Sequence, residues 1–131
     1  MTLFLVITVV GLLAMVGLCV DGAAKIRNVQ RADTLAAEAG RAGGQAIDVP
    51  ASIVGKPPVV DARAAVAAAQ AYLARNGVAG SVAVIDGGRV LEVEVTSSSR
   101  TVFLGLIGID TMTVHGHATV TLVRGVTGAG T

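Results

Sequence analysis

The sequence predicts an α+β fold, in which a long N-terminal helix packs with a second helix on a small antiparallel sheet. Three observations predict it. No proline occurs before Pro50, so nothing forces a break from Thr2 to about Ala42. The alanine-rich run ARAAVAAAQAYLAR stands between Asp61, a side chain suited to cap a helix, and Asn76-Gly77, a common helix stop. After Gly80 the apolar period changes to two, the signature of strands half in and half out of a core.

The first helix has two characters. The run from Thr2 to Val20 has only Thr2, Thr8 and Cys19 as polar side chains, and every charge in the chain lies after it. At 1.5 Å per residue it measures about 28 Å, against a hydrocarbon core of about 30 Å. A retained membrane span is therefore expected over residues 2–20. A cleaved secretory signal competes, since Gly22-Ala23-Ala24 offers a small-x-small site. Such a signal has a basic start and an apolar stretch of roughly 7–15 residues, and this run has neither. From Asp21 onward the helix turns amphipathic, with Ile26, Val29, Ala32, Ala36 and Ala39 recurring at spacings of three and four. Ile26, Val29, Leu35 and Ala36 are expected to dock the head. Gly43-Gly44 is the expected stop, making residues 1–44 one helix.

Residues 45–60, with Pro50, Pro57 and Pro58, read as a loop, and residues 61–124 as a small α+β head. Val66, Ala69 and Leu73, with Tyr72 beside them, form the apolar face of the second helix. SVAVI and RVLEVEV flank Asp86-Gly87-Gly88, a hairpin turn. Thr96 to Arg100 reads as a polar stretch leading into TVFLGLIGI, either a short buried helix or a strand, with a short helix capped by Ser98 or Ser99 favoured. In the last strand Met112, Val114, Gly116, Ala118, Val120 and Leu122 alternate with Thr113, His115, His117, Thr119 and Thr121, one face buried and the other wet. Residues 125–131 read as a flexible tail. Below about 80 residues a single core is marginal, so the long helix is expected to belong to the fold.

Composition excludes several functions. Of 131 residues, 53% are hydrophobic and 15% charged, which excludes disorder. Ten basic and nine acidic residues with no basic block, and 2% aromatics, give no nucleic-acid surface. Cys19 is the only cysteine, so neither an intramolecular disulfide nor a cysteine-built zinc site forms. His115 and His117 share a strand face, as do Glu92 and Glu94, but both pairs read as solvated surface rather than metal ligands or an acid–base pair. Ser97-Ser98-Ser99 lacks a nucleophile-elbow context, and neither Gly43-Gly44 nor Gly87-Gly88 is followed by the Lys of a phosphate loop. No enzyme, cofactor, metal or small-molecule substrate is expected.

Gly11, Ala14 and Gly17 form a small-residue stripe on the span that lets another helix approach, with ordinary glycine usage as the plain alternative. Asp21 closes the span, either as an ordinary interfacial residue or paired with a basic group on a neighbouring subunit.

VGLCVDGAAKIRNVQRADTLAAEAGRAG at the end of the apolar run, its alanine-rich continuation at Ala32, Ala36, Ala37, Ala39 and Ala42, and TVFLGLIGIDTMTVHGHATV near the far end resemble the TadE/TadG group of minor pilins. These belong to tight-adherence (Flp-type) pilus systems, and the alanine and glycine bias suggests an actinobacterial member. The resemblance implies a pilin-like minor subunit or assembly component of such a pilus or a related secretion system. Its partners would be membrane lipid, other pilin-like subunits and the assembly machinery. Two features differ from that group: Met1 opens directly onto the apolar run, where prepilins carry a basic leader, and Leu5 stands where many relatives have an early glutamate. Both favour a minor or accessory role over a shaft subunit. Lys25, Arg27 and Arg31 follow the span, which by the positive-inside rule puts the head in the cytoplasm. The resemblance puts it outside, and a missing basic leader would explain the imbalance, so an extracytoplasmic head on a single-pass anchor is expected. The alternative is a membrane-anchored extracytoplasmic binding module with no filament role.

Overall fold

The computed structural model describes residues 1–46 and 61–122. The fold is α+β as expected. A helix α1 (Thr2–Gly44) and a helix α2 (Ala62–Arg75) lie on one face of a three-stranded antiparallel sheet formed by β1 (Ala79–Ile85), β2 (Val90–Arg100) and β3 (Thr111–Thr121). The expected 45–60 loop, beyond Gln45 and Ala46, and the 125–131 tail lie outside the described residues.

α1 runs 43 residues without a break, about 64 Å of rod. Its first part is bare: an 18-residue window of mean hydropathy 2.9 has none of its residues buried. Its second part is covered along Ala32, Ala36, Ala39, Gly40 and Gly43, a stripe repeating every three to four residues. The helix closes at Gln45, whose N–H bonds the Arg41 carbonyl at 3.1 Å with φ at −90°. The helix thus ends at Gly44, where the glycine pair was expected to stop it, with the two glycines as its last residues. A side chain at Gly43 would strike Leu91 and the Ala65 carbonyl, so this glycine brings α1, α2 and β2 together.

Asp61 caps α2 by accepting the Arg63 N–H at 2.9 Å. Its buried stripe is Ala65, Ala69 and Leu73, with Val66 and Tyr72 half-buried beside it. α1 lies over β3 and β2, and α2 covers β1. The three strands form a meander in which Val93 stands opposite Val82 on one side and Ala118 on the other. Leu91, Val93 and Val95 are fully buried under the helices, while Glu92 and Glu94 point to water. At the β1–β2 turn Asp86, Gly87 and Gly88 all take positive φ, which two glycines make cheap.

Two expectations about the next segment are corrected. Thr96 to Arg100 is no loop but the second half of β2, paired with β3 from Thr96↔His115 to Arg100↔Thr111. The long partner strand overrides the polar composition, and the Asn28 side chain of α1 donates to Ser99 Oγ at 2.7 Å. The short helix is a 3₁₀ turn, Leu104–Ile107, with Leu106 and Ile107 exposed rather than buried, and no side chain of its own segment caps it, because Ser98 and Ser99 are committed to the strand.

Close approach of helix to sheet depends on Gly116. A Cβ there would run into the backbone of Ala32 and Asp33. Replacing Gly116 by Val should cost about 3 kcal/mol through overpacking against rigid backbone. Gly22→Ala, in open space within the same helix, should be neutral or stabilising by up to about 1 kcal/mol. Thermal unfolding of the two variants in detergent checks both signs.

Candidate functional site

The chemistry-bearing part of the chain is the exposed apolar half of α1 and its junction with the head. Leu12, Leu13, Val16 and Leu18 are all about 60% exposed, an apolar surface that no part of the head covers. The hydroxyl of Thr8 is satisfied within the helix, donating to the Phe4 carbonyl at 2.8 Å. A polar side chain in hydrocarbon must be settled in this way.

The expected small-residue stripe is divided by the head. Gly11 has no other side chain near it, and Ala14 is half-buried. Gly17 is occupied: the Phe103 ring lies where a side chain at that position would stand. The close approach that glycine allows is thus used by the chain's own β2–β3 connection at Gly17, and not left open there for a neighbouring helix.

Asp21 is 3% exposed, and its partners are in its own head. Oδ1 accepts the Val102 N–H at 2.9 Å, and Oδ2 accepts those of Phe103 at 3.0 Å and Leu104 at 2.8 Å. These are N–H groups at the start of the 3₁₀ turn, which a helical turn leaves without internal partners. The carboxylate therefore caps the turn from across the fold, in the role the sequence assigned to Ser98 or Ser99. Neither expected alternative, an ordinary interfacial residue or one paired with a neighbouring subunit, included these contacts within the chain. The Val102 N–H, with those of Leu104 and Phe103, holds the carboxyl below its ordinary pKa, against an opposing effect of burial. Sequence reasoning missed these partners because they lie more than eighty residues away, and a carboxylate just past an apolar run gives no hint of them.

Of the expected docking residues, Val29 and Leu35 are half-buried against the core and Ala36 is fully buried. Ile26 is not part of that contact and remains 62% exposed. Steps of three fall short of a helical turn by about 60° each, so the stripe drifts. Val29 sits about 20° from Ala36 around the helix and Ile26 about 80° from it. Asp33, which sequence reasoning passed over, accepts the His117 N–H at 3.2 Å and occupies one open donor on the edge of β3.

The outer sheet face brings together two histidines and two glutamates. His115 Nδ1 lies 3.4 Å from Glu94 and 3.3 Å from Thr96 Oγ1, and His117 Nδ1 lies 3.9 Å from Glu92. Among the described residues no group of three His, Cys, Asp or Glu side chains is placed to hold a metal. A shallow depression of about 450 Å³ between α2 and β1 is lined by Ala62, Arg63, Val66, Ala67, Gln70 and Val84, with one charged group and no nucleophile.

Asp21→Asn leaves one of the three N–H groups facing an amide NH₂, and amide exchange at Val102, Phe103 and Leu104 should accelerate at neutral pH. Because the folded pKa is depressed, the wild-type advantage is complete above the unfolded value of about 4 and disappears as pH falls through the folded one. Unfolding of both forms across that range should converge in acid. Glu92→Gln with Glu94→Gln should change stability by less than about 0.5 kcal/mol, since exposed ion pairs contribute little; the same thermal assay reads it. No protein-family model, curated protein or solved structure matches the sequence.

Proposed function

We propose that this chain is a non-enzymatic, pilin-like minor subunit or assembly component of a tight-adherence type pilus or a related secretion system. It is held in the cell membrane by one N-terminal helix, with its head on the outer side. The observation that carries the reading is the unbroken α1, whose apolar half is bare and whose amphipathic half forms the roof of the sheet. The apolar half fits a membrane anchor. In a filament the same surface is buried against the helices of other subunits. Withdrawal from lipid is then favourable only where those contacts match what lipid offered, because lipid chains are as apolar as the helix.

The head supplies no competing chemistry in this reading. Its outer face is a solvated ladder of Glu92, Glu94, His115 and His117, and its inner face is filled by valine, leucine, alanine and glycine. That outer face is what the binding-module alternative would use.

Leu13→Arg tests the proposal. Leu13 is 60% exposed in the middle of the bare stretch, so the head should fold unchanged. A central arginine costs about 2.5–3.5 kcal/mol on insertion. The variant should leave the membrane fraction and abolish or reduce piliation in the native cell. Normal fractionation together with normal pili would refute the proposal. Normal pili in cells lacking the chain altogether would favour the binding module.

A further inference from the structure

We infer that the β2–β3 connection is a second membrane contact: Val102, Leu106, Ile107 and Ile109 enter the lipid interface beside the outer end of the span, so that the head rests on the bilayer. The inference rests on the reading of α1 as a membrane anchor and is independent of any pilus. Val102 is 77% exposed, Leu106 79% and Ile107 70%, the largest apolar exposures outside the bare part of α1, and Ile109 beside them is 47% exposed. No charged residue lies between Arg100 and Asp110, which bracket the segment.

Its occupant is lipid because of where the turn is fixed. Phe103 packs on Gly17, three residues inside the end of the charge-free run, about 4.5 Å along the helix from Val20. Asp21 holds the adjoining N–H groups of Val102, Phe103 and Leu104. The turn is thereby tied to α1 at the level where the anchor leaves hydrocarbon, and apolar faces of interfacial segments sink about 5–10 Å past that boundary. The charges are complementary as well. Lys25 and Arg27 follow within the next two turns and are exposed, at the level of anionic headgroups. An apolar segment left in water would have no compensation for its exposure.

The test uses the full chain with Cys19→Ser and one new cysteine at a time, at Leu106, Val10 or Thr119, each labelled with an environment-sensitive fluorophore. All three positions are exposed, so the label should leave the fold intact. The chain is reconstituted in vesicles of phosphatidylcholine and phosphatidylglycerol carrying nitroxide lipids, with the nitroxide either near the headgroup or in mid-chain. The Leu106 label should emit to the blue and lose several-fold more intensity than the Thr119 label, most strongly with the headgroup-proximal nitroxide. The Val10 label should be quenched most by the mid-chain nitroxide. If Val10 is quenched while Leu106 behaves like Thr119, the inference is wrong and the anchor stands. If Val10 is not quenched, the anchor reading fails and the inference with it.

Discussion

A helix that passes from an apolar half into an amphipathic one cannot turn sharply at the boundary without freeing backbone N–H and C=O groups, and α1 does not turn. That continuity constrains everything else. The polypeptide beyond Val20 is still a rod with one apolar stripe, and a sheet of three strands with one apolar face has few ways to cover itself. Each solves the other's problem. The stripe Ala32, Ala36, Ala39 and Gly43 meets Leu91, Val93, Val95 and Val114, and α2 closes the remaining side. The head is thus built around the second half of α1 and is not joined to the apolar half by a linker.

Small residues set the distance at which this works. Gly116 lets the backbone of α1 come down on β3, Gly40 accommodates Val120, and Gly43 admits Leu91 and the Ala65 carbonyl. Alanine at the other contact positions adds little bulk, so a few valines and leucines fill the space between helices and sheet. The alanine and glycine bias is in this sense a packing solution for a small core. It trades large buried side chains for short interlayer distances, where dispersion contacts are dense.

What was legible in the sequence was what local pattern determines. The alternation from Met112 to Leu122, the cap at Asp61, the turn at Asp86-Gly87-Gly88 and the absence of proline before Pro50 each act over a few residues, and the α+β architecture follows from them. What was not legible is set by contacts distant in sequence. Ser97 to Ser99 have loop composition, yet the pairing of β2 with β3 draws them into a strand. Asp21 reads as a boundary residue until the turn at Leu104 is brought beside it. Gly43 reads as a helix end, which it is, but nothing local shows that Ala65 and Leu91 pack against it. Ile26 was misplaced for a different reason: a rule of spacing was followed past the point where its phase error mattered.

The stiffness of α1 couples the two ends of the molecule mechanically. From Val20 to Gly44 the rod extends about 36 Å, so a 10° change of tilt in the lipid moves its far end sideways by about 6 Å. Bilayers of different thickness impose such tilts on helices of fixed length. With α1 as the proposed anchor, the position of the sheet would be a lever-arm readout of the lipid around the helix, and any contact made by the far side of the head would inherit that dependence.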